Sequence, residues 1–89
     1  MDVDLGQMLM LCLVMLEQAA ADVSLLEGTS VGPAQIEEAL ADVSAQAQQN
    51  FAPADVTAMT AQIEQETAGM SAQDRQEGII FCTENTPTL

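Results

Sequence analysis

From Met8 to Leu16 the chain reads MLMLCLVML, nine apolar positions in a row, bounded by Gln7 on one side and Glu17-Gln18 on the other. Carried on an α-helix, such a run is apolar all round for more than two turns and has to be buried on every side. The pattern predicts a first helix from about Asp4 to Leu26. Asp2 and Asp4 favour its start electrostatically, and Gly28 is placed to end it in the left-handed conformation. Beyond Glu17 the apolar stripe narrows to Ala20, Val23 and Leu26.

The linker EGTSVGP, Glu27 to Pro33, breaks the pattern. Pro33 suits the first position of a second helix, whose apolar residues Ile36, Leu40, Val43, Ala47 and Phe51 recur at helical spacing and predict a narrow core-facing stripe. Pro53 repeats the device for a third helix. Asp55 falls in its first turn, Val56, Met59, Ile63 and Met70 form its buried line, and Gly69 closes it. Ser71 to Asp74, SAQD, is a variant capping box that predicts a fourth helix with Ile79, Ile80 and Cys82 inward. Gly78 weakens that helix and leaves IIFC open to a short extended conformation. The string ADVS at residues 21 and 41, with ADVT at 54, has no fixed period and is read as coincidence, not duplication. The expected fold is all-α, a small four-helix bundle with a central apolar first helix. Residues 1–82 form one helical domain and residues 83–89 a flexible tail.

Charge narrows the function. Fourteen carboxylates face a single basic residue, Arg75, with no lysine and no histidine, for a net charge of −13. Binding nucleic acid or an anionic membrane surface requires cations, so neither is an expected partner. The absent histidine removes the commonest general base and transition-metal ligand, and the chain is read as a non-enzyme without cofactor or metal. A membrane span requires about twenty apolar residues, more than the first helix supplies. Acidic residues ahead of the apolar run also argue against a signal peptide, which leaves a cytoplasmic protein or a mature form with Met1 added.

Cys12 and Cys82 lie 70 residues apart, too far for a redox CxxC pair and too few for a zinc site. An even cysteine count in a chain of 89 residues favours a disulfide between them, and with it a periplasmic or secreted location. The bland alternative is a buried Cys12 and a free Cys82 in a cytoplasmic protein.

The acidic clusters carry no chemistry of their own. Asp2 to Asp4 and Glu64 to Glu66 lack the ligand spacing of a calcium loop, and Glu38 with Asp42 lacks the histidines of a dinuclear site. Length, charge and helix number resemble those of acyl carrier proteins. DVSLL, Asp22 to Leu26, departs from their Asp-Ser-Leu element by an inserted residue and lies at the wrong end of its helix, so the resemblance stops at composition. At low pH only Arg75 and the amino terminus would be charged, too little for an acid-stress chaperone. Met8, Met10, Met15, Met59 and Met70 are read first as core and second as a pliable groove. The expected activity is therefore non-enzymatic binding or assembly: self-association as a homodimer, or capture of a partner helix, through Met8, Leu9, Leu11, Leu13, Met15 and Leu16. The alternative is an acidic inhibitor or nucleic-acid mimic that acts on a basic protein.

Overall fold

The computed structural model describes residues 5–86. Asp2, Asp4, Pro87 and the end of the expected tail lie outside them. Within them the chain forms α1 (Leu5–Ala21), a 3-10 turn (Val23–Leu26), α2 (Pro33–Asn50), α3 (Pro53–Thr67) and α4 (Ala72–Glu84), with no strand among the described residues. The all-α four-helix bundle is as expected.

Each helix start follows from its first residues. Pro33 and Pro53 open α2 and α3, where the missing N–H costs nothing and the fixed φ suits a helix. The Gln35 side chain accepts a 2.8 Å hydrogen bond from the Gly32 N–H, which is the half of a capping box open to a glycine cap. The Ser71 hydroxyl accepts from the Asp74 N–H at 3.1 Å and starts α4.

The first helix ends earlier than its apolar stripe predicts. Asp22 takes an extended conformation, and its carboxylate accepts from the Ser24 N–H at 3.1 Å and from the Ser24 hydroxyl. That local turn outcompetes the helix ladder, so Val23 to Leu26 become a 3-10 turn and Val23 is exposed. Gly28 does adopt the left-handed conformation (φ 81°), but it follows this turn and does not end α1. Gly69 does not take a positive φ, and α3 stops at Thr67. There the Arg75 guanidinium donates to the Thr67 carbonyl at 2.9 Å and the Ala68 carbonyl at 3.4 Å, which places the chain's one basic side chain at the negative end of a helix.

Helix α4 runs unbroken through IIFC, so the extended alternative does not occur. It also includes Thr83 and Glu84, two residues past the expected domain edge, and the Thr86 hydroxyl donates to the Cys82 carbonyl at 3.1 Å. Gly78 lies against α1. A Cβ at this position would collide with the terminal methyl of Met15, which is itself 2% exposed. One turn along, Cys12 and Cys82 form a disulfide with Cα atoms 5.5 Å apart. The two contacts run in opposite order along the two helices, which makes α1 and α4 antiparallel.

Helix α1 is the centre of the bundle and touches every other element. Its residues Leu9, Met10, Cys12, Leu13, Val14, Met15 and Leu16 are buried, together with Ile36, Ala39, Val43 and Ala47 of α2 and Ile79 and Cys82 of α4. Leu40, Phe51, Val56, Met59, Ile63, Met70 and Ile80 pack partly exposed around this core. The radius of gyration, 12.3 Å, matches the value of about 12 Å expected of a folded chain of this length, so the apolar run is covered mainly by its own polypeptide.

Two outcomes follow. Reduction of Cys12–Cys82 is expected to lower the unfolding free energy by about 4 kcal/mol through the entropy of the long loop it closes, read from urea unfolding with and without reductant. Gly78→Ala is expected to leave stability within about 0.5 kcal/mol of wild type, because displacing the flexible end of Met15 offsets the helix propensity gained. In a Met15→Ala background the same substitution should stabilise by about 1 kcal/mol; a near-zero change there too would show that Met15 is not what Gly78 accommodates.

Candidate functional site

The face of α1 that the bundle leaves open is marked by Leu5, Met8 and Leu11, three residues apart and therefore on one side of the helix. Leu5 is 49% and Leu11 40% exposed, against 0% for Leu9, Met10 and Leu16. Across from them stands α3, whose large apolar residues Val56, Met59 and Ile63 are each only partly buried. With no fully buried apolar residue along its 15-residue length, α3 cannot close over α1. A groove of about 270 Å³ remains, floored by Met8, Leu11, Met59 and Ile63 and rimmed by Gln7, Gln62 and Glu66.

Of the six residues expected to form the interaction face, Leu9, Leu13, Met15 and Leu16 are in the core and Leu11 and Met8 reach the surface. The methionines divide in the same way. Met10 and Met15 are buried, Met70 is half-buried against the core, and Met8 and Met59 line the groove. Sequence periodicity had assigned Met59 and Ile63 to the buried line of α3. The signal that they are available is the sparseness of that line: Val56, Met59 and Ile63 are the only large apolar residues in the 15 positions of α3.

A second, more polar groove of about 410 Å³ lies on the other side of α3, among Leu13, Glu17, Ser44, Gln48, Thr60 and Glu64. Partial desolvation, and then the facing Glu64 carboxylate, hold the Glu17 carboxyl above its ordinary value. Among the described residues no three Cys, Asp or Glu side chains converge to hold a metal ion. Nor is any helix there long and apolar enough to cross a membrane.

At the junction of α1, α3 and α4, the Gln18 amide donates to the Thr67 hydroxyl at 3.3 Å and that hydroxyl donates to the Glu64 carbonyl at 3.3 Å. Thr67 is 3% exposed, the one buried polar residue described. These groups tie α1 to the capped end of α3 and fix the groove's two walls relative to each other.

Comparison of the chain with known protein families, curated proteins and solved structures returns no match. The groove therefore has to be read from its own chemistry. It offers thioether and aliphatic surface at the floor, with amide groups and one carboxylate at the rim.

The raised Glu17 value fixes the sign of a pH effect. The fold binds this proton more tightly than the unfolded chain does, so stability from this group is present at acid pH and is lost as pH rises past the folded value. Glu17→Gln should therefore raise the thermal midpoint at about pH 7 and leave it nearly unchanged at about pH 4. An equal shift at both would mean that the glutamine acts through packing and not through charge.

Proposed function

We propose that this chain is a non-enzymatic binding protein that takes a protein partner on the groove between α1 and α3. The observation that carries the reading is the apolar floor of Met8, Leu11, Met59 and Ile63, left open in a chain of net charge −13. A large apolar residue left accessible at a groove is a typical anchor for a helix of another protein. The partner is either a second copy of the chain, giving a homodimer, or a separate helix. The buried Cys12–Cys82 disulfide supports a periplasmic or secreted setting, where such bonds persist.

The second reading is an acidic inhibitor of a basic protein, and it draws on one observation: every described carboxylate is on the exposed surface. The two readings separate on Leu11. Binding through the groove is lost when Leu11 becomes glutamate, whereas binding through surface carboxylates is kept.

Absolute mass by light scattering, on wild type and on Leu11→Glu, tests the proposal first. A particle of twice the 9.4 kDa chain that Leu11→Glu halves identifies a second copy in the groove. A monomer leaves the separate helix as the partner, and a dimer indifferent to Leu11→Glu removes the groove from the assembly. Leu13→Glu is not an equivalent probe, because Leu13 is 5% exposed and its loss is expected to unfold the core.

A further inference from the structure

We infer that the occupant of the α1–α3 groove is a basic amphipathic helix of another protein and not a second copy of this chain, an inference that rests on the binding role proposed for that groove. Size comes first. At about 270 Å³ the groove falls below the range of about 300–1,000 Å³ typical of small-molecule sites, so it suits anchoring side chains better than a cofactor. Its floor residues come in pairs, Met8 with Leu11 on one wall and Met59 with Ile63 on the other, so each wall repeats at roughly 4.5–6 Å along its helix. A partner helix presents apolar side chains at i and i+3 or i+4 with the same repeat, and the two thioethers adapt to whichever aliphatic side chains arrive.

Charge then selects the kind of helix. Glu66 stands on the rim, and Asp55, on the same face of α3 as Met59, Gln62 and Glu66, is exposed. No positive side chain answers them, because the single guanidinium of Arg75 is bound to the backbone carbonyls at the end of α3. A second copy would bring another net charge of −13 against the same surface and has no lysine or histidine with which to offset it. A helix with an aliphatic stripe flanked by Lys or Arg fills the floor and complements the rim together.

The test uses the oxidised full chain and two labelled peptides of about 18 residues with the same leucine stripe, one carrying Lys and the other Glu at the flanking positions. Fluorescence anisotropy reads binding, and light scattering reads the mass of the chain alone. The Lys peptide is expected to bind at least about tenfold more tightly than the Glu peptide and to lose about tenfold between about 50 and 500 mM salt. Leu11→Glu is the decisive variant, since it adds a negative charge while blocking the floor. It should weaken the Lys peptide by about tenfold or more with the unfolding midpoint retained. Met59→Glu, on the facing helix, provides the same reading if Leu11→Glu fails to fold.

Equal binding of the two peptides overturns the charge selection and leaves the groove standing. Tighter binding of the Lys peptide to Leu11→Glu overturns both, because the contact is then with surface carboxylates. If neither peptide binds and the chain is a dimer that Leu11→Glu dissociates, the occupant is a second copy: this inference falls and the proposed function holds. If neither binds and the chain is a monomer, both fall.

Discussion

A helix that is apolar on nearly every side can be taken out of water only by surrounding it, and in this chain three helices, two of them alanine-rich, do the surrounding. Each of Leu9, Met10, Met15 and Leu16 contributes roughly 1.5–3 kcal/mol when fully buried, so the cover on α1 is the main source of cohesion in a small domain. The remaining contacts serve that cover. The disulfide and the Met15–Gly78 contact hold α4 against one side of α1, the apolar stripe of α2 closes another, and Gln18 with Thr67 holds the end of α3 in place. Where α3 runs out of large apolar residues the cover is incomplete, and the groove is the result.

Most of the architecture was legible because the relevant signals are local. Proline at a first turn, serine three residues before a free N–H, and apolar residues at helical spacing each act within a few residues; they place the starts of α2, α3 and α4 and the core-facing residues of α2 and α4, but not a buried line on α3. The end of α1 was not legible from spacing. ADVS at residue 21 and ADVS at residue 41 are identical strings, yet Asp22 breaks a helix by bonding to Ser24 while Asp42 lies within α2. Local hydrogen bonding and the helix ladder are close in free energy, and packing decides between them. Val43 is buried in the core, which holds α2 helical through that string, whereas Val23 has nothing to pack against. Gly78 misled for a related reason: its low helix propensity is visible in sequence, but the methyl group it makes room for belongs to another helix.

The candidate site was half legible. Sequence placed the candidate face on helix one but did not say which of its residues stay open. That depends on how far each neighbouring helix reaches, and α3 brings only Val56, Met59 and Ile63 as large apolar side chains. The six residues first grouped as an interaction face therefore divide into four that hold the core and two, Met8 and Leu11, that border the groove.

The position of Arg75 has a consequence for proteolysis. As the chain's only basic residue, it gives a protease that cuts after lysine or arginine a single bond to attack, Arg75–Gln76. That bond lies in the first turns of α4, with the guanidinium turned toward the end of α3, so the backbone has to unwind before it can enter an extended protease cleft. Cys12 and Cys82 stand on opposite sides of the cut. A nicked molecule therefore stays in one piece, with residues 76–89 still fastened to α1, and its two fragments separate only when the disulfide is reduced.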